Sequence, residues 1–280
     1  MLMASILDGF NLFPQALAAG LLIGLVCSAL GVFVILKRVV FIGITLSEVA
    51  ALGIALSMLL QMPPLLGAAS LTLLVVVLLA LPLEPERLPR NALMGIVFVA
   101  ASALAVLVVA GSGFGLREVK TLLYGDLILT SNSDLALMAA VLLPVLAALL
   151  LFLRPITYTF LDREAAKVLG MKVLRWEMLY FCCLGLAVSA ASKAAGALLV
   201  FCYLVVPPAA GLLLSRSLAM VMLISAALAL LGTITGLAWS LHNDLPSNQA
   251  VVVALTGFFL AAAMIRGFVR LLRRQSGSGS

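Results

Sequence analysis

Glu48 is the residue whose type and position first call for a chemical explanation. It lies in an apolar stretch near residues 40–60, about eight residues, or roughly 12 Å of helix, from the basic end of that stretch. A carboxylate at that depth in a membrane costs on the order of 2.5 kcal/mol or more, so it faces the interior of a helix bundle or a watery path. There it could act as a hard oxygen ligand for a cation, as a proton-linked charge, or as a protonated, hydrogen-bonded structural group. Thr45 falls one turn earlier on nearly the same face, and Ser47 is adjacent. No His, Cys or second carboxylate follows at three or four residues' distance, so this helix alone does not chelate a metal.

The other candidates carry weaker signals. Pro207 and Pro208 stand together inside an apolar stretch, where the missing N–H groups leave carbonyls unpaired and favour a kink or a cavity wall. Lys193 lies near the outer end of a span and is expected to snorkel to the interface. His242 and Asp244, two residues apart in a polar loop, read as a solvated turn ahead of a metal site. Cys27, Cys182, Cys183 and Cys202 sit in apolar runs without Cys-x-x-Cys spacing and read as small core residues.

These residues must be held by membrane helices. Of 280 residues, 65% are hydrophobic and only 10% charged, and the mean hydropathy is +1.29, which excludes a soluble globular fold. With so few polar groups, an enzyme with a large polar active site is excluded too, and no nucleophile and base pair is visible in the spans. Apolar segments fall near residues 12–36, 40–60, 64–83, 91–112, 134–153, 176–192, 196–214, 218–241 and 249–265. The expected fold is all-α, a polytopic bundle of eight or nine spans in one domain over 1–275. The stretch from Gly113 to Ser133 is the alternative re-entrant element, and Ser-Gly-Ser-Gly-Ser at 276–280 reads as an artificial linker. Met1 to Pro14 lacks a base and carries Asp8, unlike a cleaved signal peptide, so the N-terminus reads as retained.

Placing the C-terminus in the cytoplasm puts 14 of the 17 Lys and Arg residues inside and leaves Arg117, Lys120 and Lys193 outside. The net charge of +6 is therefore a topology signal and implies no nucleic-acid partner. Small residues at every fourth position, in Gly20, Gly24 and Ser28, in Gly43, Ser47, Ala51 and Ala55, and in Gly232, Gly236 and Ser240, mark faces for close helix packing. Between Arg154 and Arg175 lies a different kind of element. Asp162 suits an N-cap, Glu164 suits the positive helix start, Ala165 and Ala166 are strong helix formers, and Gly170 is placed to end the helix. A short amphipathic helix under the membrane is predicted there.

In three segments the chain resembles the membrane subunits of ATP-binding-cassette importers for manganese, zinc and iron. They are Pro14 to Gly20 leading to Gly31 through Arg38 and Phe41 through Glu48; the Asp162, Glu164, Ala166 and Gly170 helix; and Gly196 through Val200 with Pro207, Ala209 and Asp244-Leu245-Pro246. The resemblance implies a dimeric permease of the cobalamin-importer type in a prokaryotic inner membrane, surrounded by lipid. Its coupling helix near 162–172, with Asp162, Glu164, Ala165, Ala166 and Gly170, would dock into a separate ATPase subunit that carries ATP and Mg. An extracytoplasmic binding protein would deliver the cargo, and the path would run past Thr45, Ser47, Glu48, Pro207 and Pro208. The chain has no Gly-x-x-x-x-Gly-Lys-Ser/Thr loop, so it reads as a transport subunit that is not an enzyme and binds no cofactor of its own.

The match breaks at one informative place. Metal importers of this family usually carry an Asp and a His, four residues apart, where this chain has Ile44 and Glu48. Glu48 is then the sole candidate metal ligand of that pair. Three readings stay open: a divalent-cation importer (Zn, Mn or Fe), the same architecture with a non-metal or chelated cargo, and a proton-coupled secondary transporter using Glu48.

Overall fold

The computed structural model describes residues 13–80, 90–111 and 125–276. The expectations for Met1 to Asn11, for Arg87, for Arg117 and Lys120 with the first part of the re-entrant stretch, and for 277–280 lie outside the described residues. The described chain is helical throughout. Its elements are α1 (Pro14–Leu36), α2 (Phe41–Leu59), α3 (Pro64–Ala80), α4 (Arg90–Gly111), a 3-10 turn (Leu127–Leu129), α5 (Asn132–Leu151), α6 (Leu153–Leu161), α7 (Arg163–Val168), α8 (Val173–Leu214), α9 (Leu218–Asn243) and α10 (Ser247–Ser276). Among the described residues seven helices are long and apolar enough to cross a membrane, and Pro64–Leu79 is a shorter apolar helix.

The expected sixth and seventh spans run on as one helical stretch of 42 residues, α8. As a straight rod it would be about 63 Å long, twice the ~30 Å hydrocarbon layer. It is not straight, because Gly196 takes φ 66° and ψ 169°, a conformation essentially reserved for glycine. The Tyr180 hydroxyl donates to the Leu30 carbonyl at 2.7 Å, while a Cβ added to the neighbouring Gly31 would lie 2.8 Å from Pro208 Cγ. Residues on both sides of Gly196 thus meet the same turn of α1, although a straight helix would hold Tyr180 and Leu204 about 36 Å apart. With α8 folded into two passes, the rods match the nine apolar segments. The reversal falls at Gly196, between the expected segments 176–192 and 196–214, and Pro207 and Pro208 sit inside the second limb of α8.

The reversal is backed by polar groups from other helices. Asn248 at the start of α10 donates from Nδ2 to the Ala195 carbonyl at 2.9 Å and to Ala194 at 3.5 Å, supplying partners to backbone that the bend releases. Gly125, itself at φ 58°, lays the turn before α5 directly on Gly196.

α1 is the central strut, packed on both limbs of α8 and on α9. The small-residue stripes serve this packing. Gly24 faces Tyr203 and Thr233, Gly43 faces Leu204 and Phe201, and Gly232 and Gly236 admit Leu255 and Val251 of α10. Hydroxyls pair across helices inside the bundle: Tyr203 with Thr233 and Thr72 with Ser189, each at 2.5 Å. Cys27 and Cys202 are buried, Cys182 and Cys183 half-buried, and all four are free thiols.

The bundle has two distinct ends. At one stand α7, Lys37, Glu177 and Arg266, which reaches the Leu212 carbonyl at 3.3 Å. At the other, Lys193 pairs with Asp134 at 2.6 Å instead of simply snorkelling, and Asp244 ends α9 in the left-handed region at φ 51°.

Candidate functional site

Glu48 sits in the seam between α2 and α4. Its side of α2 meets Ala101 and Ala105 through Val49 and Leu52, an apolar seal that leaves the residue 8% exposed. The Ser102 hydroxyl of α4 hydrogen-bonds it, and Oε2 is buried with no partner. An oxygen in this state carries an unmet electrostatic demand, which a proton or a cation would satisfy. Ile44, one turn earlier on the same face, is half-buried and offers no ligand atom.

The rest of the expected path residues are not drawn to Glu48 by hydrogen bonds. Thr45 Oγ1 donates to Phe41 at 2.8 Å and lies 3.1 Å from the Met94 carbonyl, tying α2 to α4. Ser47 Oγ donates back to the Gly43 carbonyl at 2.9 Å, on the stripe that faces α8. Pro208 packs on α1 at Gly31, and Pro207 is buried beside it. Among the described residues no three His, Cys, Asp or Glu side chains gather to hold a metal ion.

The predicted helix at 162–170 forms as its residues dictate. Asp162 caps α7, its Oδ1 accepting from the Ala165 N–H at 2.9 Å. Gly170 ends it at φ 75°, with its N–H on the Lys167 carbonyl at 2.9 Å and the Met171 N–H on Ala166 at 3.0 Å. Glu164 pairs along the surface with Lys167 at 2.8 Å. Ala166 alone is buried, while Val168 and Leu169 are 89% and 74% exposed.

Composition and spacing gave no notice of Glu177. It lies on the first turns of α8, where a basic stretch meets the apolar layer. In the structure it is 7% exposed, with the Lys37 ammonium on Oε1 and the Arg163 guanidinium 3.4 Å from Oε2. Phe160 lies under the same ammonium at 4.5 Å. At the far end a cavity of about 380 Å³ is lined by Met58, Asp126, Thr130, Asp134, Ser189 and Lys193 among others; Asp126 accepts from the Ser247 hydroxyl at 3.0 Å.

Among the described residues, then, a bundle of apolar helices long enough to cross a membrane carries a capped, exposed short helix at one end and a buried carboxylate, Glu48, between α2 and α4. The chain belongs to the ABC 3 transport family, whose model matches residues 9–266. It is 26% identical over 254 residues to the manganese transport system membrane protein MntC of Halalkalibacterium halodurans, covering 90% of this chain and 87% of that one. It is equally 26% identical, over 255 residues, to the high-affinity zinc uptake system membrane protein ZnuB of Haemophilus influenzae, covering 91% and 97%. Its fold matches a chain of PsaBC from Streptococcus pneumoniae, solved in complex with Fab, with a TM-score of 0.85 at 23% identity, covering 93% of this chain and 95% of that one.

Proposed function

We propose that this chain is the pathway-forming permease subunit of an ATP-driven importer of a divalent metal cation. It works as a homodimer in a prokaryotic inner membrane, embedded in lipid, with α7 and the C-terminus in the cytoplasm. An ATPase subunit, which holds ATP and Mg, grips α7 through Asp162, Glu164, Ala165, Ala166 and Gly170. A binding protein delivers the cation at the far end. The clustering of described Lys and Arg residues at the α7 end supports that orientation.

The observation that carries the reading is the geometry of α7: a six-residue helix, capped at both ends, that exposes Glu164, Val168 and Leu169 and buries only Ala166. Such a helix adds little to the bundle's own core, so its preserved shape supports a role as a contact for another subunit. In the path, Glu48 supplies the negative charge: its unpartnered Oε2 offers one hard ligand in a low-dielectric seam, with Ser102 holding the carboxyl in place. Thr45 keeps α2 and α4 in register around it, Ser47 lies behind it on the face of α2 that packs on α8, and Pro207 and Pro208 hold the second limb of α8 beside α1.

Co-expression with the ATPase encoded beside this chain is expected to yield a stable complex, which Glu164→Arg or Gly170→Trp disrupts. Equal capture of the ATPase by both variants would remove the basis of the reading. Ile44 supports a second reading, a cation carried within a chelate, because a chelated ion needs fewer protein ligands than the bare one. Stimulation of ATP hydrolysis by free Mn²⁺ or Zn²⁺ in the reconstituted complex with its binding protein distinguishes the two. Proton-driven uptake by the chain without any ATPase would instead establish a secondary transporter.

A further inference from the structure

The two carboxylate oxygens of Glu177 join three separate elements. Oε1 holds Lys37, the residue that closes α1, and Oε2 faces Arg163, the first residue of α7, while Glu177 itself rides on α8. Beyond this contact α7 is seated on the bundle chiefly through Ala166. The Lys37 side is confined: its ammonium lies over the Phe160 ring at 4.5 Å and 5.9 Å from the centroid of Phe181. Those rings pack edge-on against Tyr180, whose hydroxyl is fastened to α1 at Leu30.

Stability alone is a poor reason for this arrangement. A buried charge pair is often matched or bettered by apolar residues of the same volume, whereas breaking one leaves a costly uncompensated charge. Glu177 is well placed as a mechanical link, because one oxygen is held by the confined Lys37 ammonium while the other reaches the half-exposed Arg163 on α7. Past Lys37 the chain turns sharply, with Arg38 at φ 58°, and enters α2 at Phe41. Lys37 therefore sits at the root of the helix that carries Glu48.

We infer that Glu177 is a positioning residue that passes a displacement of α7 to the corner between α1 and α2, and so to Glu48 in the seam. The inference rests on α7 being the ATPase-gripped helix. It names two discrete contacts, Arg163 with Glu177 and Glu177 with Lys37, as the contiguous route.

The test uses the whole importer in proteoliposomes, with ATPase and binding protein, measuring radioactive Mn²⁺ uptake beside ATP hydrolysis. Glu177→Gln and Arg163→Gln are each expected to raise the ATP consumed per ion carried by roughly five- to tenfold, with the ATPase retained in wild-type amount. Arg163→Lys, which keeps the charge, is expected to restore the ratio to within about twofold of wild type. A Glu177→Gln complex that carries as many ions per ATP as wild type overturns the inference. Should Glu177→Gln fail to fold, Arg163→Gln at its more exposed position decides alone, and an unchanged ratio there overturns it equally. The Glu164→Arg and Gly170→Trp complexes separate the two claims: loss of ATPase capture with normal coupling in Glu177→Gln sinks only the route, while full capture sinks the α7 reading beneath it.

Discussion

The Leu204 carbonyl of α8 rests directly on Gly31 of α1, where any side chain on Gly31 would overlap the oxygen. The cause lies four residues further along. Pro208 has no N–H to give to Leu204, so that carbonyl leaves the helical ladder and turns its oxygen to a neighbour that can approach as bare backbone. Pro208 thus acts through helix-to-helix contact with α1.

Gly31→Ala is therefore expected to destabilise the chain by about 1–3 kcal/mol, the usual range for overpacking a tight contact, and Gly31→Val by more. Thermal unfolding of the purified chain in detergent measures it. A midpoint unchanged in Gly31→Ala would show that α1 and α8 are free to separate.

At the reversal, Gly196→Ala forces a side chain into a conformation that costs of order 1–3 kcal/mol, and Asn248→Leu strips the Ala194 and Ala195 carbonyls of their amide partner. Both variants are expected to loosen the hairpin within α8. Hydrogen exchange should then rise at residues 194–200 ahead of the rest of the helix, and uniform exchange along α8 would count against this account.

Glu48 makes the opposite prediction for stability. Because Oε2 has no partner, Glu48→Gln removes a buried charge without breaking an ion pair. The melting temperature is expected to hold or rise, while Mn²⁺ uptake by the reconstituted importer falls by at least about tenfold, a loss of roughly 1.4 kcal/mol in the transport step. A lowered melting temperature with normal uptake would make Glu48 a structural residue.

Much of this protein can be read from neighbouring residues. The boundaries of α7 follow from Asp162 and Gly170, since a cap and a left-handed stop are satisfied within a few residues of backbone. The nine apolar segments and the charge bias between loops follow from transfer free energy, which each stretch of chain carries with it. Glu48 stands out for the same reason, as a carboxylate in hydrocarbon needs no neighbour to be conspicuous.

Other features depend on partners distant in the chain. Hydropathy separates the segments 176–192 and 196–214, but that the chain reverses on Gly196 itself is decided by Gly125 and Asn248, which come from elsewhere to receive it. Lys193 meets Asp134 across 59 positions, and Glu177 is buried only because Lys37, 140 positions away, arrives beside it. Hydropathy and capping act over a turn or two of backbone, so they settle where helices begin, end and lie. Which charges are buried together, and which helix yields, is settled by packing between helices, and no single segment contains that information.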